Sequence, residues 1–407
     1  MGTRMLAQRT GLFSASGTAQ ARSAARAAAA TGKEIIDLSA GEIWCEPPEA
    51  VRSGAISAIE QGINRYTDTI GLEALREAVA KKLAAETGHA WAPDEVAVTA
   101  GGKQALFNAA MTILNPGDEV IIPAPYWTTF PAQALLAGAT PVFIETRTNG
   151  YAPPIQNIRA AVTPATRAIV VNTPGNPTGA VFDRALLAGI AELAIRQDLW
   201  IVFDECYRSF VYEPNNHDNI IAIVPQVRGR TLVVNSFSKT LAMTGWRVGY
   251  LAGPKEAIAA VKALQSHTTS NPNVIAQHAV LAHLRSGNAR FEQNLLSRLS
   301  LSRARGLEIL SRLTHVPLPS AQGGFYFYLD LSDLLAAKRR GRTVAGADDF
   351  ARMLLEEAGV AAVSGTAFGD PAGLRLSYGV PLDKLERGLC AVVSALNALT
   401  AGRRSAA

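Results

Sequence analysis

The sequence predicts an α/β protein in two parts. The large domain is expected to carry a seven-stranded, mostly parallel sheet covered by helices, and a smaller α/β domain is expected to be built from both termini. Three observations carry this. From residue 93, short β-branched runs alternate with helix-length segments, the pattern of a parallel sheet covered on both faces. Seven such runs occur, at Val96–Thr99, Glu119–Ile122, Pro141–Ile144, Ala168–Asn172, Trp200–Phe203, Thr231–Val234 and Val248–Ala252. After about residue 290 the pattern changes to a long helical stretch through Arg305, followed by a second, shorter α/β segment.

Taken in order, the chain opens with residues 1–33, which carry Arg4, Arg9, Arg22, Arg26 and Lys33 and no acidic side chain before Glu34. That is the composition of an organellar transit peptide. The run ATGKEIIDLSAGE follows without a cleavage-like break, so an N-terminal arm with an Ala-rich helix (Ala19–Ala30) is the better reading. A short strand at Ile35–Leu38 leads into the loop SAGEIWCEPP, and residues 49–61 are helical in pattern. Asn64–Gly71 is a polar loop exposing Tyr66, and Leu72–Thr87 repeats apolar residues at helical spacing. Beyond the seven runs, QGGFYFYLDL (322–331), a helix near Asp348–Ala358 and the strand LRLSYG (374–379) form the second segment. The expected division is 1–48 for the arm and part of the small domain, 49–290 for the large domain and 291–407 for the C-terminal small domain, with 400–407 a frayed tail.

Composition narrows the function. With 407 residues, 48% hydrophobic and 18% charged, a sizeable core is expected and global disorder is not. Net charge is +5 from 39 basic and 34 acidic side chains, without a basic run interleaved with aromatics, which argues against nucleic acid. Cys45, Cys206 and Cys390 form no CxxC pair, so a disulfide framework or a zinc or other metal site is not expected, and a reducing, cytoplasmic compartment is. No apolar run approaches a membrane span.

The chemistry gathers at strand ends, where open α/β sheets bind ligands. VTAGGKQALFNAAMTIL (98–114) reads as strand, two-glycine turn and helix, an arrangement that lets backbone N–H groups approach an anion. It is not a Walker A loop, because Gln104 follows Lys103. PAPYWTTF (123–130) follows the next strand, and Trp127 could lie flat on a ring, although most tryptophans serve packing. NTPGNPTG (172–179) fixes an irregular loop around Asn176. WIVFDECY (200–207) ends an apolar strand on Asp204, whose carboxylate needs a cationic partner, with Tyr207 three residues on; a metal ligand or a helix cap is the plainer alternative. NSFSKTLAMTGWRVGY (235–250) sets Ser236, Ser238 and Lys239 just past a strand, with Arg247 eight residues later. Alone, Lys239 would be read as structural. Together with the hydroxyls and the arginine it suits a lysine of lowered pKa that forms an imine beside a phosphate. The whole inventory fits pyridoxal 5′-phosphate.

GGKQAL, PYW, NPTG, DECY, SFSK and GWRVGY, in this order over roughly residues 30–395, resemble the class I/II aminotransferases of fold type I, in particular the bacterial-type aspartate and prephenate subgroup. The resemblance implies the aspartate-aminotransferase fold and a ping-pong exchange of an amino group between an L-amino acid and a 2-oxo acid, with aspartate and 2-oxoglutarate the leading pair. It implies that Lys239 holds the cofactor and shuttles the proton, that Asp204 keeps the ring nitrogen protonated, and that Tyr207 and Asn176 bond the ring hydroxyl. Trp127 would stack on the ring. Gly102, Lys103 through its backbone, Ser236, Ser238 and Arg247 would hold the phosphate, and Tyr66 would reach the phosphate of a neighbouring subunit, hence a homodimer. Arg375 would clamp the substrate α-carboxylate with help from Gly41 and Asn176, while Lys103 and Ser16 would meet a distal carboxylate. One departure stands against the aspartate assignment: the chain reads GEIWCEPP where the family usually reads GEPDFDTP, and Ile43 and Trp44 there could narrow the site or favour an apolar or aromatic side chain. An aromatic, prephenate or broad-range donor, or β-elimination on the same cofactor, are the alternatives. A sensor domain of a regulator is disfavoured, since the 30-odd residues before the body are too few for a DNA-binding module.

Overall fold

The computed structural model describes residues 6–12, 16–339 and 342–404. Arg4 and the last three residues lie outside them. Among the described residues the strands run β1 (Ile36–Asp37), β2 (Val96–Thr99), β3 (Glu119–Ala124), β4 (Thr140–Glu145), β5 (Thr166–Asn172), β6 (Trp200–Asp204), β7 (Thr231–Ser236) and β8 (Gly249–Ala252). They continue with β9 (Tyr326–Asp330), β10 (Lys338–Arg339), β11 (Arg342–Thr343), β12 (Val360–Ala361), β13 (Val363–Ser364) and β14 (Gly373–Ser377). The seven expected strands form one sheet in the order β2-β8-β7-β6-β5-β3-β4. Pairing is parallel except at β8, which runs antiparallel to both β2 and β7.

The strand alternation explains why helices cover both faces. Val98, Ile169, Val171, Ile201, Phe203 and Val233 point into one core. Their neighbours Ala97, Ala168, Val170, Val202, Leu232 and Val234 point into the other. Each large aliphatic or aromatic side chain so buried contributes roughly 1.5–3 kcal/mol. With both faces covered, the strand ends are the part of the sheet left for chemistry.

A third core joins the two ends of the chain. Leu38 packs with Phe325, Phe327, Leu374, Leu376, Leu385 and Leu389. Strand β1 pairs parallel with β12, and β14 lies between β13 and β9, antiparallel to each. The arm helix Gly17–Ala30 begins against Ala367, which leaves no space for a Cβ on Gly17. Two expectations change. The helix near Asp348–Ala358 is α only over Ala347–Met353 and continues as a π turn over Leu354–Ala358. The segment expected to fray from residue 400 continues the helix Leu382–Arg404 as far as Arg404, because Leu385, Leu389, Val392, Leu396 and Leu399 bury one stripe of it.

Candidate active site

Four strand ends and the small domain meet around a cavity of about 800 Å³. Strand β2 delivers Gly102 and Lys103, β5 delivers Asn172 and Asn176, β6 delivers Asp204 and Tyr207, and β7 delivers Ser236, Ser238 and Lys239; all line the cavity, as do Arg247, Trp127, Gly41, Ser16 and Arg375.

One end is shaped for an anion. Gly101 takes a left-handed φ of 81°, and the helix Gly102–Ile113 starts immediately after it, its first residues Gly102 and Lys103 lining the cavity. A Cβ on Gly249 would stand 2.7 Å from Gly102 N, and one on Gly102 would stand 3.2 Å from Cys206 Sγ. Those glycines let strand, turn and helix close on one another. Ser236 Oγ and Ser238 Oγ are 2.8 Å apart. Arg247, at the exposed rim, donates to Thr244 O at 2.9 Å and to Ala100 O at 3.2 Å. Hydroxyls, helix N–H groups and a guanidinium form a donor set for a phosphate.

Asp204 lies at the floor, 3% exposed. Among the described residues no cation pairs with it. Burial raises its carboxyl to about 6, against the N–H of Cys206, which donates to Oδ1 at 3.0 Å. Such a carboxylate is completed by a ligand that brings its own N–H cation. Asn172 Nδ2 donates to the Asp204 carbonyl at 3.2 Å, and its Oδ1 accepts from Asn176 N at 2.9 Å, which fixes the loop over the floor.

Lys239 donates to the Gly41 carbonyl. Burial pushes its ammonium down to about 8; Cys206 and Glu42 work against the shift, and Arg375 and Arg247 add to it. An amine in this range is partly neutral near physiological pH. Tyr207 Oη and Tyr326 Oη are 3.0 Å apart, and burial holds the Tyr207 phenol well above its ordinary value.

Arg375 sits on β14 between Leu374 and Leu376, which face the core, so its own side chain faces the cavity. It is 1% exposed. Nη1 donates to Asn176 Oδ1 at 2.9 Å and Nη2 to Ser39 O at 2.8 Å, while the guanidinium stacks over the Tyr326 ring at 4.4 Å. Its Nε has no partner, and among the described residues no carboxylate neutralises it. A buried, stacked guanidinium with an unpartnered donor has the chemistry to bind a carboxylate.

Other predicted residues fall as follows. Trp127 is half-buried, with the Lys103 ammonium 5.1 Å from its ring centre. Lys103 is exposed at the rim, and its pKa is lowered first by partial burial and then by Arg247. Ser16 Oγ lies 3.5 Å from Thr128 Oγ1. Tyr66 is not brought to this cavity: it is 90% exposed. Nor are Ile43 and Trp44, which corrects the expectation that they shape the pocket. Ile43 packs on the small-domain core, and Trp44 stands 71% exposed beside Lys384. Sequence reasoning missed Asn172, Tyr326, Glu42 and Arg22 as lining residues. Asn172 opens the NTPGNPTG loop and Glu42 follows Gly41, so both stood beside residues already singled out. Tyr326 and Arg22 carried no such signal.

Residues 33–392 match the family described as aminotransferase class I and II. The chain is 40% identical over 376 residues to an aspartate/prephenate aminotransferase of Cereibacter sphaeroides, covering 91% of this chain and 93% of that one. It is 38% identical over 385 residues to an aspartate aminotransferase of Geobacillus stearothermophilus, covering 94% and 96%. Among solved structures it resembles the aspartate aminotransferase of Thermus thermophilus with maleate, at a TM-score of 0.90 and 37% identity, covering 97% of this chain and 100% of that one. The aspartate aminotransferase of Rhizobium meliloti gives a TM-score of 0.91 at 34% identity, covering 97% and 99%.

Proposed function

This chain belongs to the class I and II aminotransferases, and from that premise we propose that it binds pyridoxal 5′-phosphate and exchanges an amino group between L-aspartate and 2-oxoglutarate by a ping-pong mechanism. The observation that carries the reading is a pair of buried charges on one cavity that no ion pair compensates among the described residues: the Asp204 carboxylate and the Arg375 guanidinium, whose buried Nε has no partner. The first suits a protonated ring nitrogen and the second a substrate α-carboxylate, with the Lys239 amine lining the same cavity.

When bound, pyridoxal phosphate supplies a carbonyl carbon that takes up amino groups and a ring that draws off electrons from the substrate α-carbon. The protein supplies the rest. Gly102, the Lys103 backbone, Ser236, Ser238 and Arg247 hold the phosphate. Asp204 holds a proton on the ring nitrogen, and Tyr207 and Asn176 bond the ring hydroxyl. Trp127 covers one face and excludes water. Arg375, kept in place by Asn176 and Ser39, fixes the substrate carboxylate, with Gly41 beside it. Lys239 takes and returns the proton at the α-carbon, a task for which a pKa of about 8 suits it. Lys103 and Ser16 both line the cavity and would meet a distal carboxylate, which is the reason for choosing aspartate. The names of the relatives favour prephenate as the second substrate to examine. The three free cysteines support a reducing, cytoplasmic setting. The working unit is a homodimer in which the exposed Tyr66 serves the neighbouring site.

The test is spectral. The holoprotein is mixed with single L-amino acids without acceptor, and loss of the cofactor absorption band is followed. Aspartate and glutamate are expected to react fastest. Faster reaction with aromatic donors would remove aspartate from the assignment, and release of ammonia and pyruvate would identify a lyase.

A further inference from the structure

The arm helix Gly17–Ala30 was expected to contribute only Ser16 at its start. Its inner face does more. Thr18, Arg22 and Arg26 follow one another at helical spacing, and all three line the cavity. Arg22 Nη1 donates to Glu42 Oε1 at 2.9 Å, and Glu42 adjoins Gly41, the residue whose carbonyl holds Lys239. The side chains of this pair are 37% and 45% exposed, so they face the open space of the cavity and are not sealed in the protein. Among the described residues Glu42 takes a single donor of Arg22, its Nη1. A guanidinium has five N–H donors in a rigid fork, so Arg22 can serve a second carboxylate without releasing the first.

Charge accounting gives this arrangement a purpose. Under the proposed function, Arg247 faces a phosphate, Arg375 faces the α-carboxylate, and Asp204 faces a ring N–H. Arg22, Arg26 and Lys103 then line the cavity against Glu42 alone. Among the described residues Arg26 forms no ion pair. The balance left for a substrate side chain is positive.

We propose that Arg22 is a specificity-determining residue: held in place by Glu42, it presents its remaining donors to the side-chain carboxylate of a dicarboxylic amino or oxo acid. The inference rests on the aminotransferase reading and assigns to the arm helix a task that had been given only to Lys103 and Ser16. It also explains how a chain with Ile43 and Trp44 turned away from the cavity can still select an acidic side chain.

The test uses the holoprotein with Arg22→Met and Arg22→Lys. The readouts are the ratio of kcat/KM for aspartate over that for alanine, and the dissociation constant of the unreactive dicarboxylate succinate. For Arg22→Met the ratio is expected to fall about 10- to 100-fold and succinate binding to weaken by a comparable factor. Arg22→Lys keeps the charge and loses the fork, so it should fall between the two. An unmoved ratio with unmoved succinate binding would overturn the proposal, and so would an equal loss for aspartate and alanine, which is the signature of a structural role. A wild-type holoprotein that reacts with no amino acid would instead count against the aminotransferase reading itself.

Discussion

Asp204 is a carboxylate that no cation neutralises among the described residues, and that has a measurable cost. Unfolded, it ionises near its ordinary value of 3.8; folded, near about 6. Between these values the native state keeps a proton that the unfolded state has lost, so stability falls as pH rises from about 4 to about 6, by roughly 3 kcal/mol in total. The cofactor-free Asp204→Asn protein is therefore expected to resist urea better than the wild type at neutral pH, with the advantage gone below about pH 4, while transamination is lost. Equal stability of the two proteins at neutral pH would contradict this account of the site floor. Arg375 is the complementary case. Arg375→Ala should weaken every amino donor, by about 2–5 kcal/mol in half-reaction kinetics, because the α-carboxylate is common to all of them. Asp204, Lys239 and Asn176 were legible in the sequence because they end apolar strands or sit in proline-rich turns. Arg22 and Tyr326 were not: an arginine in an Ala-rich helix and a tyrosine in an aromatic strand look alike whether or not a cavity lies beside them.

At the scale of elements, the sheet was legible because each strand alternates between two cores, and its seven members fall where the β-branched runs stand. The missing part was curvature and closure. The tight approach of β8 to the start of the helix Gly102–Ile113 depends on backbone contact, which leaves no hydrophobic signature. Gly249 sits there with its absent Cβ 2.7 Å from Gly102 N and 2.8 Å from Asn235 O. Gly249→Ala is expected to push the turn at Gly101–Gly102, proposed to hold the phosphate, outward, costing about 1–3 kcal/mol of stability and weakening cofactor retention; denaturation and cofactor titration would show both effects together. The helix Leu382–Arg404 was not singled out in the sequence, although its leucine stripe has helical spacing, and a frayed tail was expected from residue 400 only because chain ends commonly fray. The π turn at Leu354–Ala358 breaks the helical period, so periodicity could not reveal it.

For the whole molecule, we propose a division near residues 48 and 290. Leu38 and the residues from Leu295 onward share one core, separate from the two sheet cores. Tyr207 and Phe210 cross from the large part and pack on Phe325, so the site lies where the two parts meet. For the exposed loop bearing Tyr66 we propose a role at a further level, a dimer. The holoprotein is expected to sediment as a dimer, and Tyr66→Phe to loosen the cofactor by about 1.5–3 kcal/mol, the worth of a hydroxyl bonded to a charged group, although Tyr66 lies outside its own chain's cavity. A fully active monomer would remove that role. The central claim, that this cavity is an aminotransferase site working through Lys239, is tested most directly by borohydride reduction of the holoprotein followed by peptide mapping. The cofactor is predicted to be fixed to the peptide containing Lys239 and absent from Lys239→Ala. A label on Lys103 or another lysine, or none after reconstitution, would contradict it.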